Sequence, residues 1–204
     1  MCPTGSTKHL MERLFVTASN YTNPERYRTR FIAVRYGNVL GSSNSVIPKF
    51  VEQIKNGKKI TITDPNMTRF TITMDEAVNL IFESIKKGFG GEVFVPKLKS
   101  YKLDILKECI FDILGKRTDV EKISIRPGEK IHESLINAEE IRNAYENDDM
   151  YVLLDKQLQK NTFAKWEQLN DADLDGEYSS DKVDILSKEE LEKILRESIF
   201  NENE

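Results

Sequence analysis

Residues 30–50, RFIAVRYGNVLGSSNSVIPKF, decide the architecture. The first part, 30–37, is short and rich in β-forming side chains, dense enough for a parallel strand buried on both faces. GNVLGSSNS follows with no period and with small, flexible units, which reads as a loop. SVIPKFVEQIKNG then has helical spacing, with Pro48 near its first turn and Gly57 past its end. Strand, polar loop and helix in that order are the repeating unit of an α/β chain.

Working outward, the same alternation continues. Upstream, Gly5 to about Asn20 places Leu10, Leu14, Phe15 and Ala18 on one helical stripe. Downstream, KKITITD and TRFTI read as strands. Thr73 to Glu76 is a capping box opening a helix to Lys87, with Ala77, Leu80, Ile81, Ser84 and Ile85 as its stripe. GGEVFVP is a strand. Ser100 is expected to cap a helix through Leu114 that Gly115 ends. EKISIRP is a strand running into a Pro-Gly turn. Asn137 is expected to cap a helix through Tyr145, and MYVLL (150–154) is a short strand. Ser187 and Glu190 form a second capping box before the last helix. The helices at 5–20, 46–56, 76–87 and 102–114 each need a sheet to cover, and the strands are short.

Composition narrows the function classes. The 204 residues are 39% apolar and 31% charged, with a net charge of −4. The charge is uneven: residues 1–136 hold 22 Lys and Arg against 15 Asp and Glu, and residues 137–204 hold 8 against 19. The first part suits an anion; the acidic remainder reads as solvated surface. Basic and aromatic residues are not interleaved as in a nucleic-acid-stacking surface, so no nucleic-acid partner is expected. No apolar run approaches the roughly 18 residues of a membrane span, and no signal pattern opens the chain, so a cytoplasmic protein without a membrane partner is expected. Cys2 and Cys109 make no disulfide framework, and with only His9 and His132 no metal site is expected. DADLDGE, 171–177, lacks the spacing of a calcium loop. Gly5-Ser6-Thr7-Lys8 is not a phosphate-binding P-loop, because the order is wrong and no strand precedes it. The local reading is a capped helix with Lys8 and Glu12 paired one turn apart.

Three stretches carry polar chemistry at strand ends, where open α/β sheets hold ligands. In RYGNVLGSSNSV, Asn38, Ser42, Ser43 and Ser45 give and accept hydrogen bonds, as a sugar requires. ITDPNMTRF places Arg69 beside polar turn residues. IRPGEKIHE places Arg126 at a strand end, then a tight turn, then Glu129. Two arginines from separate strand ends match a diphosphate with their guanidinium forks. A carboxylate three residues on can accept both hydroxyls of a ribose. On these residues alone the reading is an α/β domain with a phosphosugar site.

As an ordered set, RYGNVLGSSNSVIPKF, ITDPNMTRFTITMDEAV, GEVFVPK, IRPGEKIHESLI, DDMYVLL and EYSSDKVDILSKEEL resemble the C-terminal portion of the CapD-like polysaccharide-biosynthesis proteins. These are extended short-chain dehydrogenase/reductase enzymes and include inverting UDP-N-acetylglucosamine 4,6-dehydratases and related 5-epimerases. The resemblance covers essentially the whole chain, and the YSSD element is most like the short dehydratases. It implies a Rossmann-like α/β fold with a substrate-binding subdomain, divided as a Rossmann remnant at 1–56, a sugar-nucleotide subdomain at 57–154 and an acidic extension at 155–204. It implies NADP as cofactor, a UDP-hexosamine as substrate and a homo-oligomer. In that family a hydride leaves C4 of the sugar, water is lost across C5–C6, and the hydride returns to C6.

Carried over residue by residue, the resemblance makes Lys8 the catalytic lysine facing the nicotinamide ribose. Thr4 stands at the usual tyrosine position, and a threonine hydroxyl is a poor acid or base near neutral pH. Tyr36 lies beside the nicotinamide. Asn38 contacts the hexose or its phosphate, and Ser45, Val46 and Phe50 shape the sugar-nucleotide pocket. Thr61 and Ile62 offer backbone to the uracil. Arg69 and Arg126 bind the diphosphate and Glu129 the ribose. Asn44 replaces a glycine usual in relatives. The glycine-rich dinucleotide fingerprint occurs nowhere in the 204 residues. The expectation is a dehydratase-like protein without its NADP-binding half; the alternative is a standalone, non-catalytic UDP-sugar binder or a subunit of a split enzyme.

Overall fold

The computed structural model describes residues 3–21, 29–43, 45–155, 160–166 and 169–200. Asn44 and Cys2, singled out above, lie outside them. In chain order the elements are α1 (Pro3–Tyr21), β1 (Ala33–Val34), β2 (Asn38–Val39), α2 (Val46–Lys55), β3 (Ile60–Ile62), β4 (Thr68–Ile72) and α3 (Met74–Lys87). There follow β5 (Val93–Pro96), β6 (Ser100–Lys102), α4 (Leu103–Leu114), β7 (Val120–Lys122), β8 (Ser134–Ile136), β9 (Ala144–Glu146) and β10 (Met150–Leu153). The last are α5 (Lys160–Phe163), β11 (Asn170–Asp171), β12 (Tyr178–Ser179) and α6 (Lys188–Leu195). The α/β class is as the alternation requires.

The chain forms two compact units. Residues 1–36, 77–97 and 134–178 make the first; residues 37–76, 98–133 and 179–204 make the second. Each of the contiguous stretches 1–56, 57–154 and 155–204 therefore feeds both units. The chain alternates between the two units, and contiguity in sequence does not follow the packing.

In the first unit the sheet order is β1-β5-β10-β9-β11. β1 runs parallel to β5, and the remaining pairs are antiparallel. All four residues of β5 and of β10 are buried, which is why VFVP and MYVL are continuous apolar runs rather than alternating ones. Phe94 packs on Trp166, whose indole N–H donates to Glu92 at 3.2 Å. Glu92 is fully buried and also accepts the backbone N–H groups of Phe89 and Gly90, each at 2.7 Å; these three donors replace the water its carboxylate has lost.

Arg35 fixes α1 in this unit. Its Nε and Nη2 donate to the two oxygens of Glu12 at 2.6 and 2.7 Å, its Nη1 and Nη2 to those of Glu140 at 2.9 and 2.6 Å, and its Nη1 also to the Leu135 carbonyl at 2.7 Å. Glu12 thus serves Arg35, and the helical pair with Lys8 expected from spacing is replaced: a half-buried guanidinium gives two parallel bonds where an exposed ammonium gives one screened contact. Burial works to raise the Glu140 carboxyl, but the Arg35 hydrogen bonds and charge, with the Asn137 amide, offset it and hold that group below its ordinary value.

The second unit has the sheet β2-β4-β6, with β2 parallel and β6 antiparallel to β4, and a separate parallel pair β3-β7. Its core joins Ile47, Phe50 and Ile54 of α2, Leu106, Ile110 and Phe111 of α4 and Leu191 and Leu195 of α6. Cys109 is buried in the same core, and burial pushes its thiol up to about 11. β2 lies so close to β4 that a Cβ on Gly37 would come 2.4 Å from Phe70 Cβ.

Both capping boxes form. Thr73 and Glu76 exchange side-chain to backbone bonds at 2.8 and 3.2 Å, and Ser187 with Glu190 does the same at 2.9 and 3.2 Å. Gly115 ends α4 with φ 59°. Two expected caps do not form helices as read. Ser100 lies in β6, bridged to the 184–186 segment through its backbone, and α4 starts later, after Lys102. Asn137 Oδ1 accepts from the amides of Glu139 and Glu140, but only a single 3₁₀ turn follows before Ala144–Glu146 pairs as β9. In both places strand pairing prevails over local helix propensity.

Gly37→Ala should destabilise the chain by about 1–3 kcal/mol, the usual result of overpacking, seen as a lower urea midpoint. Glu140→Gln should cost about 1–3 kcal/mol at neutral pH, as for a lost charged hydrogen bond. Because the Glu140 carboxyl is depressed in the fold, this contribution is full above the unfolded glutamate value and disappears as pH falls through the lower folded value. The urea midpoints of the variant and the unchanged chain should therefore converge in acid.

Candidate functional site

The second unit carries a cavity of about 260 Å³ lined by Asn38, Val39, Leu40, Ser45, Val46, Ile47, Met67, Arg69, Tyr101, Leu103 and Glu129. Its construction starts at β2. Asn38 and Val39 pair in parallel with Thr71 and Ile72, and the chain leaves the strand end through Leu40, whose amide donates to Ile72 at 3.0 Å. Gly41 turns with φ 72°, the left-handed region. The Ser45 amide donates to Ser42 at 3.1 Å, and α2 begins. Strand end, tight polar loop and helix N-terminus thus meet at one wall.

Ser45 occupies the N-cap position of α2, yet its hydroxyl caps nothing. Its Oγ is buried and, among the described residues, has no hydrogen-bond partner. The first turn of α2 holds no acidic residue. Free amides at a helix N-terminus favour an anion, and an orphan buried hydroxyl has an unfilled hydrogen-bonding need.

Arg69 forms another wall. Its Nη1 donates to the carbonyls of Thr68 and Ile131 at 2.7 and 2.9 Å, and its Nη2 donates to the Lys130 carbonyl at 2.9 Å and contacts Met67 Sδ at 3.4 Å. Its Nε faces Glu133 at 3.4 Å. The open diphosphate fork expected from sequence is therefore engaged with the protein, and Arg69 offers the cavity its charge more than its donors. Burial raises the Glu133 carboxyl against the opposing pull of Arg69 and Lys130. Burial, with the charge of Glu133, pushes the Tyr101 phenol far above its ordinary value.

The Pro-Gly turn is as the sequence suggests, but the strand before it covers only Val120–Lys122, so Arg126 lies in the following loop and not at a strand end. Glu129 N–H donates to Arg126 O at 3.0 Å across Pro127 and Gly128, the latter at φ 83°, the arrangement of a type II turn. Glu129 Oε2 accepts the Arg126 amide at 3.2 Å, and its Oε1 lies 3.5 Å from Thr63 Oγ1. The Arg126 guanidinium is exposed and, among the described residues, has no hydrogen-bond or ion-pair partner. Of the two arginines, it is the one with donors to give.

The structure brings Asn38, Ser45, Val46, Arg69 and Glu129 to one cavity, with Arg126 joined to Glu129 through the turn. Phe50 is fully buried in the α2 face of the core and Ile62 is buried in β3. The Thr61 amide and hydroxyl both meet Gln53 of α2, at 3.4 and 3.2 Å, and Ile62 O accepts from Ile123. Lys8, exposed on α1, Thr4, also on α1, and Tyr36, 40% exposed after β1, belong to the first unit. Met67, Tyr101 and Leu103 were not anticipated as lining; Tyr101 and Leu103 sit where β6 turns directly into α4, a junction hidden by the expectation of a Ser100 cap. Among the described residues no His, Cys, Asp and Glu cluster is arranged to hold a metal ion, and no helix is long and apolar enough to cross a membrane.

Comparison with known proteins places these features in a family. Over 200 residues the chain is 36% identical to an uncharacterised membrane protein of Methanocaldococcus jannaschii, covering 95% of this chain and 56% of that one. It is 37% identical over 147 residues to a UDP-glucose 4-epimerase of Rickettsia massiliae, covering 72% of this chain and 42% of the epimerase. The solved structure of Pen from Bacillus thuringiensis superposes with a TM-score of 0.82 at 35% identity, covering 95% of this chain and 57% of Pen. The chain thus spans about half the length of the relatives it matches. The model of the polysaccharide biosynthesis protein family matches residues 2–155, and the chain belongs to that family.

Proposed function

We propose that this chain is the nucleotide-sugar-binding part of an enzyme of the UDP-N-acetylglucosamine 4,6-dehydratase kind. The observation that carries the reading is the cavity wall where the orphan Ser45 hydroxyl and the N-terminus of α2 stand in one lining with Arg69 and Glu129. A UDP-sugar supplies what each group lacks. Its diphosphate suits the helix amides, the Arg126 guanidinium and the positive field of Arg69. Its ribose diol suits the Glu129 carboxylate, which has acceptor positions left. Its hexose suits Asn38, exposed at the strand end. The similarity to a protein named UDP-glucose 4-epimerase supports a UDP-hexose.

NADP, when bound in the complete enzyme, would accept and return the hydride. Of the residues that would hold it, these 204 include Lys8 and Tyr36, and the pyrophosphate-binding glycine turn is not among them. No step through the cofactor is derived from such a partial site. In this reading the remaining half comes from polypeptide beyond these residues, joined to it or separate, and the assembled enzyme is a homo-oligomer. The apolar faces of α1 and α3 support it: Leu14 is 63% exposed and Ile85 60%. A second reading, a non-catalytic UDP-sugar binder, is favoured by the self-contained core of the second unit.

Calorimetric titration of the chain with UDP-N-acetylglucosamine tests the site. Binding in the micromolar range is expected, weakened at least tenfold in Arg126→Ala, since a charge-assisted hydrogen bond is worth about 1.5–3 kcal/mol. A cooperatively melting chain that takes up no heat would overturn the site assignment. Turnover on combining the chain with a polypeptide that carries the NADP-binding half would favour the first reading; binding without turnover in that mixture would favour the second.

A further inference from the structure

The YSSD element has no part in the site as described, yet the structure ties it to one wall of that site. Thr68, the residue before Arg69, is 2% exposed, and Ser180 is fully buried. Thr68 Oγ1 lies 2.8 Å from His132 Nδ1 and 2.7 Å from Ser180 Oγ. Ser180 Oγ accepts the Glu133 amide at 2.9 Å and lies 3.1 Å from the Thr68 carbonyl. The Ser180 amide donates to Glu133 O at 2.8 Å, and the Thr68 amide to Ile131 O at 3.1 Å. Next to these, Ser179 Oγ donates to Asp181 at 2.6 Å.

The hydrogen count closes. With His132 neutral and Nδ1 accepting, the Glu133 amide donates to Ser180, the Ser180 hydroxyl to Thr68, and the Thr68 hydroxyl to His132. Every member is then satisfied. Removing Ser180 Oγ leaves the Glu133 amide without its acceptor and interrupts the chain. What this chain holds in place is segment 129–133. That segment supplies the Lys130 and Ile131 carbonyls and the Glu133 carboxylate to Arg69, and it begins with Glu129 in the cavity lining.

We propose that Ser180 and His132 are positioning residues: through Thr68 they fix the 129–133 segment, and so set Glu129 and Arg69 for the nucleotide. The proposal rests on the reading of the cavity as a uridine-diphosphate site. Because Glu129 would accept the ribose hydroxyls, the latch governs discrimination between UDP and 2′-deoxy-UDP, and not merely stability.

The test is calorimetry of the chain with UDP and with 2′-deoxy-UDP, together with hydrogen exchange of the ligand-free chain, for Ser180→Ala, His132→Leu and His132→Asn. Asparagine keeps an acceptor near the place of Nδ1. Ser180→Ala and His132→Leu should weaken UDP about tenfold and 2′-deoxy-UDP less, narrowing the preference, while His132→Asn retains it. Amides of 129–133 should exchange faster in the first two variants, with α2 unchanged. An unaltered preference, or unaltered exchange at 129–133, overturns the latch. An unsubstituted chain that binds neither nucleotide overturns the uridine-diphosphate reading instead, and exchange alone then decides whether the latch holds the segment. If Ser180→Ala does not fold, His132→Leu, at the less buried partner, decides.

Discussion

The guanidinium of Arg69 is the interaction on which the second unit's site depends. A planar fork with five N–H groups is the one side chain able to hold several carbonyls and a carboxylate at once. Here it joins β4 to the returning segment 130–133, which no sheet ladder holds. That segment carries a half-buried carboxylate, Glu133, whose burial would be costly without a cation beside it. Lysine would present one ammonium and could not reproduce the geometry. The same commitment means that Arg69 faces the cavity with its charge, its N–H groups being engaged, while the guanidinium of Arg126, one turn from Glu129, has no partner among the described residues.

The first unit solves a similar problem with Arg35. Two glutamates far apart in sequence converge on one guanidinium with four hydrogen bonds, and a carbonyl accepts the fifth. Such an arrangement is a specificity device more than a source of net stability, because removing three polar groups from water costs much of what their attraction returns. Its effect is to set the rotation of α1: only the face bearing Glu12 can meet β1. Leu10, Met11 and Leu14 then remain in solvent by geometry.

The sequence made plain whatever a few neighbouring residues determine. The two capping boxes, the left-handed glycine after α4, the Pro-Gly turn and the α/β order all formed as read, since each is closed by atoms within four residues or by one continuous apolar run. Ser100 and Asn137 were legible as polar residues ahead of apolar ones, but not as members of strand-rich segments, because their partners lie at 184–186 and in β10. Glu12 and Lys8 had the right spacing; only the fold brings Arg35 to outbid the lysine. For the site, Asn38, Ser45 and Glu129 could be seen because strand ends and tight turns mark where ligands sit. Arg69 was found but not its engagement, which needs carbonyls 61 and 62 residues away.

The two units differ in how completely they bury what they hold. In the second, helices α2, α4 and α6 close on one another, and Phe50, Ile54, Leu106, Ile110 and Leu191 are entirely out of water. In the first, β1 is an edge of its sheet, two residues long, and α1 and α3 carry Met11, Phe15, Phe82 and Ile85 in solvent. At roughly 25 cal/mol per Å², faces of that size hold several kcal/mol of unrealised burial. A short parallel edge strand flanked by apolar helices is stable when another strand and its helices continue the sheet. The hydrophobic effect thus gives the first unit, through the apolar faces of α1 and α3, a reason to associate, while the candidate cavity lies in the unit whose helices α2, α4 and α6 bury one another.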